Sequence, residues 1–331
     1  MTTASVAPAP RVFADDRAPR WLRGIFWANL VAQIGIVVTG GIVRLTDSGL
    51  GCPTWPECVD GSLVPTERQA ESWHKYVEFG NRLLTFVLAA LAIAAVIGVW
   101  RWTMQRRAAG QSARRPIVLL ALIPLFGTVV QAVLGGITVL TGLHPATVAA
   151  HFLVSIAIIA GVTVLVTRAN EPGDRPVTVV VPRPIRLLSI VLLGSAAAVI
   201  VLGTIVTGSG PNAGDASAER FGIDQRMAAW LHADAVLLFV GLTIGLLVAI
   251  AVADTPTTLR GRTIHLLGIT AVNGAVGYTQ LLADLPWALV ALHMLLACLI
   301  WVAVLRVFLA TATRGVAADA PVGQAAQSIS A

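Results

Sequence analysis

Long apolar segments that are nearly free of charge limit what this chain can fold into more than any other feature. Each is long enough for a helix to cross the hydrocarbon core of a bilayer, which is about 30 Å thick. They cover approximately residues 22–43, 75–100, 117–140, 147–167, 187–207, 227–252, 264–282 and 287–310. With 56% hydrophobic and 12% charged residues among 331, a soluble protein would lack the charge to cover its surface. The sequence predicts an all-α integral membrane protein with eight transmembrane helices, of which the seventh is the least apolar.

The distribution of lysine and arginine predicts the orientation in the membrane. With the N-terminus inside, seventeen of the 23 basic residues lie on the inner side, which leaves 23 − 17 = 6 on the outer side. Those six are Arg44, Arg68, Lys75, Arg82, Arg220 and Arg226. This positive-inside bias predicts a multi-pass protein of the cell membrane with both termini in the cytoplasm. The net charge of +6 therefore reports orientation, and we expect a lipid partner and no nucleic acid.

The chain contains an internal repeat that divides it into two related halves. Residues 131–151, from Gln131 to His151, match residues 273–293, from Asn273 to His293, without a gap, and residues 40–43 echo 203–206. Both halves begin on the inner side, so we expect them to be related by an axis along the membrane normal. The predicted organisation, end to end, is a disordered cytoplasmic tail at 1–20, a four-helix half at 21–168, a cytoplasmic linker at 169–186, a second four-helix half at 187–312 and a disordered cytoplasmic tail at 313–331. The two halves form pseudo-symmetric four-helix bundles in this prediction.

Three of the histidines inside predicted spans lie towards the outer end of their helix, and they are His151, His232 and His293. Each is roughly five to seven residues from the outer end of its helix, about 10 Å below the outer surface. Ionisable residues at that depth are costly and usually functional, although a histidine can also simply hydrogen-bond to a neighbouring helix. Two imidazoles from facing helices are suitable axial ligands for haem iron, whereas zinc would favour additional thiolate or carboxylate ligands. The pattern therefore favours haem.

The first half carries a different set of residues on its second helix. His74, Glu78 and Asn81 share one helical face, and Asn81 corresponds to His232 of the second half. This difference predicts an iron coordination position that is weak or open, beside Glu78 as an acid–base group. Glu78 is also spaced to pair with Arg82, and the two interpretations are compatible.

Other candidate residues lie on the outer side. Cys52 and Cys58 frame a short loop, where an oxidising compartment permits a disulfide that shapes the loop or takes part in redox exchange; a free pair is the alternative. Arg44, Arg82 and Arg226 lie at the outer boundary and are either interfacial anchors or ligands of haem propionates.

Several motifs resemble the haem A synthase family, in its actinobacterial type. The motifs are 40–49 with Trp55 and Pro65, 131–151, 203–211 with Gly214 and Asp215, and 277–280 with Leu285, Pro286 and His293. The resemblance extends over nearly all of residues 25–305.

The resemblance implies an oxidoreductase that converts the C8 methyl group of haem O to a formyl group by successive hydroxylations, giving haem A for cytochrome oxidase. It implies that His232 and His293 ligate the iron of a resident haem b, that the first half holds the substrate haem, that Glu78 is the family's glutamate and that Cys52 and Cys58 are its cysteine pair.

Asn81 departs from the family, which has a histidine there. Either His151 alone ligates the substrate haem iron, as we favour, or His74 takes over the missing position.

The resemblance also implies a haem O synthase and the assembly of cytochrome oxidase as partners, with an electron donor that the sequence does not identify. Two other classes stay open at this point. One is a membrane b-type electron-transfer cytochrome, which the asymmetry between the halves disfavours. The other is a haem transporter, which would be supported by helices that are broken at mid-membrane.

Overall fold

The computed structural model describes residues 17–67 and 69–314. Most of the two predicted tails, together with Arg11 and Arg68 of the charge comparison, lies outside the described residues. Near the first described residue, Ala18 is buried and its N–H donates to the Ala169 carbonyl oxygen at 3.0 Å.

Within those ranges the chain folds into eight α-helices and one pair of two-residue strands. The helices are α1 Arg20–Leu45, α2 His74–Ala108, α3 Arg115–Leu140, α4 Pro145–Ala169, α5 Arg183–Ser209, α6 Gln225–Val252, α7 Thr257–Leu282 and α8 Trp287–Leu309. Strands β1 Thr178–Val179 and β2 Ala312–Thr313 pair antiparallel, so the linker after α4 is tied to the segment after α8. The predicted all-helical class is confirmed.

Seven of these eight helices are long and apolar enough to cross a membrane, and α7 is the exception. This finding supports a multi-pass membrane protein but only seven of the eight predicted spans. The helix α7 is long enough, but Arg260, Arg262, Asn273 and Gln280 lower its hydropathy. It nevertheless runs without a break and packs against both α6 and α8.

Tight hairpins connect α3 to α4 and α7 to α8, and the two have the same geometry. After α3, Gly142 and Leu143 have φ of 61° and 59°, and the Leu143 N–H donates to the Thr138 carbonyl at 2.9 Å. After α7, at the positions 142 residues later, Asp284 and Leu285 have φ of 59° and 57°. The Leu285 N–H donates to the carbonyl of residue 280 at 2.7 Å. This left-handed turn provides hydrogen-bond donors for the last helix carbonyls, as a Schellman-type cap does. The backbone conformation therefore repeats where the sequence repeats.

Contacts between helices follow the same two-part pattern. In the first set, α1 contacts α2 and α4, and α3 contacts α2 and α4, which closes a cycle. In the second set, α5 contacts α6 and α8, and α7 contacts α6 and α8. The sets meet where α1 contacts α8 and where α4 contacts α5 and α8. At this junction the Trp301 indole N–H donates to the Ile156 carbonyl at 3.0 Å.

The apolar core is concentrated towards one end of the helices. The largest fully buried side chains all lie nearer the end at which α1 begins, and they are Phe26, Leu22, Leu30, Ile117, Ile159, Leu165, Leu192, Leu246, Leu259, Leu266, Val99 and Val162. The three helix histidines lie in the opposite half of their helices. The half that contains the histidines is therefore the one that large apolar side chains do not fill.

Candidate functional site

Each of the three helix histidines lies against a glycine of the preceding helix. A Cβ atom added to Gly135, Gly203 or Gly277 would lie 3.4, 3.3 or 3.1 Å from Cε1 of His151, His232 or His293, respectively. The equivalent glycine of α1, Gly40, faces Asn81, whose Nδ2 would lie 3.8 Å from the added Cβ. We call these four glycines the seats. The structure thus places Asn81 against its seat as it places His232.

The His232 imidazole shows how a seat orients its occupant. Its Nδ1 is 3.1 Å from the carbonyl oxygen of Val199, which is four residues before the seat Gly203. That carbonyl is reachable because the glycine has no side chain to cover it. A neutral imidazole that donates from Nδ1 to a carbonyl carries its lone pair on Nε2, which is the arrangement of a metal-ligating histidine.

The two repeat-equivalent histidines have unpaired buried atoms instead. Among the described residues, Nδ1 of His151 and Nδ1 of His293 are buried without a hydrogen-bond partner. The same holds for Oε1 of Gln131 and Oδ1 of Asn273, each four residues before the corresponding seat. Leaving a buried polar atom unpaired costs about 1–3 kcal/mol. Each of these unpaired atoms requires an explanation, and a bound ligand or an ordered water would supply one.

These residues fit a haem. His232 and His293 come from α6 and α8 of the same cycle, and neither uses Nε2 in a hydrogen bond within residues 17–67 and 69–314. Among the described residues, none of the largest fully buried side chains lies in the half of the helices that these histidines occupy. Imidazole ligation of haem iron in a helical bundle requires this combination.

The Asn81 side chain is held by α1. The Thr39 hydroxyl lies 2.8 Å from Asn81 Oδ1 and 3.3 Å from the carbonyl oxygen of Ile36. Ile36 is four residues before the seat Gly40, so its carbonyl corresponds to the one that His232 uses. Asn81 was predicted from the sequence, whereas Thr39 and the packing of the seats were not, although glycines recur at all four positions of the repeat.

Glu78 and Arg82 form a buried ion pair, as their spacing predicts. Arg82 Nη2 lies 2.6 Å from Glu78 Oε1, and the other carboxylate oxygen accepts the Cys52 N–H at 2.7 Å. The same guanidinium also donates to the carbonyls of Cys52, Thr54 and Glu57 at 2.8, 3.0 and 3.1 Å. Both side chains therefore hold the outer loop in place, and the guanidinium that was considered for a propionate is largely engaged there.

The loop itself is closed by a disulfide between Cys52 and Cys58, and both cysteines are fully buried. This pairing decides between the alternatives that the sequence left open in favour of the oxidised pair. Within the loop, Trp55 packs on α3 so closely that a Cβ at Gly136 would lie 2.4 Å from the indole Cδ2. Gly136 follows the seat Gly135, so the loop covers the outer end of the first set of helices next to His151.

Three further predicted residues lie at the same end of the helices as this loop. Arg44 donates from Nη2 to the Thr207 carbonyl at 2.8 Å, which links α1 to α5, while its Nε is buried without a partner among the described residues. At the beginning of α2, Nδ1 of His74 is 2.9 Å from the Ser48 hydroxyl, which holds its ring beside the loop. Arg226 is the second residue of α6.

Comparisons with known proteins agree with these observations. The model of the family COX15-CtaA, described as "Cytochrome oxidase assembly protein", matches residues 23–305. A protein of Lysinibacillus sphaericus named Heme A synthase is 35% identical over 147 residues, 44% of each chain. A protein of Methylobacterium sp. with the same name is 32% identical over 63% of this chain and 64% of its own.

A protein of Thermus thermophilus named Protoheme IX farnesyltransferase is 29% identical over 89% of this chain and 49% of its own. This chain spans about half the length of the curated relatives that it matches, between 44% and 64% in these three. Because the family model covers most of the sequence, the resemblance seen in the motifs is confirmed: the chain belongs to the COX15-CtaA family of cytochrome oxidase assembly proteins.

Proposed function

We propose that this protein is a haem A synthase, which oxidises the C8 methyl group of haem O to a formyl group through two hydroxylations and the loss of water. The observation that carries the proposal is the set of glycine seats, three of which hold imidazoles and the fourth an asparagine. Relatives named Heme A synthase support it. The difference in candidate ligands between the halves also favours an enzyme over an electron-transfer cytochrome, because such a cytochrome would need two sites that each hold haem through a pair of histidines.

In this proposal all eight helices cross the membrane, as two pseudo-symmetric four-helix bundles with both termini in the cytoplasm. The closed contact cycles of α1–α4 and α5–α8 support the two bundles. The continuity of α7 between α6 and α8 supports the eighth span, since Asn273 in its second half is buried and Gln280 is half-buried. A transporter with broken mid-membrane helices is disfavoured for the same reason.

The second bundle holds a resident haem b through His232 and His293. When bound, haem b supplies one-electron transfer. The Val199 carbonyl fixes the tautomer of His232, so that its Nε2 is the ligating atom. Gly41 of the first bundle contacts Met294, the neighbour of His293, since a Cβ at Gly41 would lie 2.6 Å from the methionine Cε. The two sites are therefore joined by direct packing.

The first bundle binds the substrate, haem O, with His151 as the protein ligand of its iron. Asn81 lies on the seat where the second bundle has a histidine, and Arg44 is placed at the outer end, where a propionate would lie. The loop closed by Cys52 and Cys58 covers this end and excludes water, because Trp55 packs on α3.

Glu78 is proposed to hold or move a proton at its carboxylate during oxidation of the methyl group. It also anchors the loop through the Cys52 N–H and Arg82. Two substitutions separate these roles: both remove the ionisable carboxylate, but glutamine keeps an oxygen that can accept the Cys52 N–H, whereas alanine does not.

The experiment is expression of the full chain with a haem O synthase, followed by chromatography of the extracted haems. The unsubstituted protein should yield haem A. Glu78→Ala and Glu78→Gln should both retain haem b and lower haem A formation by about a hundredfold or more, the typical contribution of general acid–base catalysis. Glu67→Gln, in the same outer loop but exposed, is the matched control and should behave as the parent.

Normal haem A in Glu78→Gln together with its loss in Glu78→Ala would reduce Glu78 to a loop anchor. Absence of haem A from the unsubstituted protein, with haem O supplied, would refute the proposed function. As partners we propose the farnesylating enzyme that makes haem O, an electron donor and the assembly of cytochrome oxidase. A relative named Protoheme IX farnesyltransferase, only half of which matches this chain, supports the first of these.

A further inference from the structure

The seat of α1 differs from the other three in a way that changes what it can hold. In the second bundle, the residue before the seat Gly203 is Leu202, which offers no hydrogen bond, and the Val199 carbonyl is left for the imidazole. In the first bundle, the residue before Gly40 is Thr39. Its hydroxyl lies within hydrogen-bond distance of both the corresponding carbonyl, Ile36, and Asn81 Oδ1. Thr39 thus takes the place of the imidazole Nδ1–H and fixes the asparagine amide.

With Oδ1 bound to Thr39, the other end of the amide lies beside the seat, where Nδ2 would be 3.8 Å from a Cβ on Gly40. No hydrogen bond of Asn81 Nδ2 is formed within residues 17–67 and 69–314, so two N–H donors are unused. The asparagine side chain is shorter than that of histidine: its amide atoms reach about as far as an imidazole Nδ1, and they do not reach the position of Nε2 on the far side of the ring. Carboxamides are also not among the usual axial ligands of haem iron, which are imidazole, thiolate, thioether and phenolate.

His74 is not positioned to replace the missing imidazole. It lies two turns further out on α2, about 10 Å along the helix axis, and its Nδ1 is 2.9 Å from the Ser48 hydroxyl. The backbone there is packed tightly, since a Cβ at Gly51 would lie 2.5 Å from the carbonyl oxygen of His74. Moving His74 inward would require the loop and the first turn of α2 to unfold.

We propose that Thr39 and Asn81 form a binding site for a small diatomic ligand on the iron of the first-bundle haem, opposite His151, with the Asn81 amide N–H as its hydrogen-bond donor. This inference rests on the proposed function, because it requires a haem on His151. One imidazole on one side and a polar donor on the other is the arrangement in which haem proteins bind small ligands. The second bundle, closed by His232 and His293, has no such position.

The probe is carbon monoxide, added to the reduced, purified full-length protein after expression with a haem O synthase. The number of haems per chain is measured first, and His151→Ala identifies which haem responds. We expect carbon monoxide to bind one of two haems, and the response to disappear together with that haem in His151→Ala. Asn81→His should weaken carbon monoxide binding at least tenfold, because a second imidazole then reaches the iron.

Two further variants test whether the Asn81 amide donates a hydrogen bond to the bound ligand or only leaves space for it. Asn81→Leu should still bind carbon monoxide, but with a higher C–O stretching frequency. Its affinity for cyanide in the oxidised protein should fall about three- to tenfold, as expected for the loss of one hydrogen bond. Thr39→Val, which is nearly isosteric, should broaden or split the C–O band because the amide is then free to rotate. Leu202→Val, at the equivalent position of the second bundle, is the control and should change neither quantity.

Two haems per chain with no carbon monoxide binding would overturn the inference while leaving the proposed function intact. The same holds for binding that Asn81→His leaves unchanged. A C–O frequency that is the same in Asn81→Leu and in the parent would overturn the role of the amide as donor. A single haem per chain, unaffected by His151→Ala, would overturn both the inference and the proposed site of the first bundle.

Discussion

Substituting the seat Gly277 by alanine should weaken haem b binding without destabilising the helix that carries the change. The added Cβ would lie 3.1 Å from Cε1 and 3.4 Å from Nδ1 of His293. Ordinary carbon contacts are about 3.5–4.0 Å, so the imidazole must move by several tenths of an ångström. Overpacking of this kind costs about 1–3 kcal/mol. If half of that cost falls on the ligated state, haem b affinity drops about two- to twelvefold.

The same substitution favours α7 itself, since alanine stabilises a helix by about 1 kcal/mol relative to glycine. The two effects have opposite signs and can be measured separately. Haem b binding is followed as the rate of transfer to an excess of a haem-free acceptor protein, and helix stability as the thermal midpoint of the haem-free protein. Gly274→Ala is the matched control, because it lies on the same helix and its Cβ would have no neighbour within 4 Å.

We expect faster haem loss from Gly277→Ala than from the parent, with a thermal midpoint of the haem-free protein that is unchanged or higher. Gly203→Ala, with its Cβ at 3.3 Å from the His232 ring, should have a smaller effect in the same direction. Equal haem retention in Gly277→Ala and Gly274→Ala would refute the idea that the glycine seats the ligand.

Two further predictions concern the loop and the inner side. Gly136→Ala would place a Cβ 2.4 Å from the Trp55 indole, so the loop must lift, and we expect faster reduction of its disulfide by dithiothreitol; an unchanged rate would contradict this packing. Asp174 bridges Arg114 and Arg168 at 2.8 and 2.6 Å, and both arginine side chains are buried. Asp174→Ala should lower the free energy of unfolding by about 1–3 kcal/mol, a partial loss because the carboxylate is one-quarter exposed and backbone carbonyls still accept from Arg114. A thermal midpoint within error of the parent would show that those carbonyls suffice.

The sequence by itself determined the number of helices, their approximate bounds and the repeat. Apolar segments must be helical in lipid because every backbone polar group needs an internal partner, so length and hydropathy were enough to find them. The seventh segment is the least apolar in the sequence because of its arginine, asparagine and glutamine side chains. The same side chains explain why α7, among the eight described helices, is not apolar enough to be a clear membrane span.

Only the tertiary structure decided what the candidate residues touch. Each seat brings together residues from different helices, such as Gly203 and His232. The sequence repeat shows that the glycine and the histidine both recur, but it does not show that they are in contact. The sequence spacing predicted the Glu78–Arg82 pair, yet the engagement of both with the outer loop depends on where Cys52 is placed by the fold. The role of Thr39 could not be predicted from the sequence for the same reason. A hydroxyl in an apolar helix has no distinctive pattern, and its importance comes from lying within hydrogen-bond distance of Asn81 on the neighbouring helix.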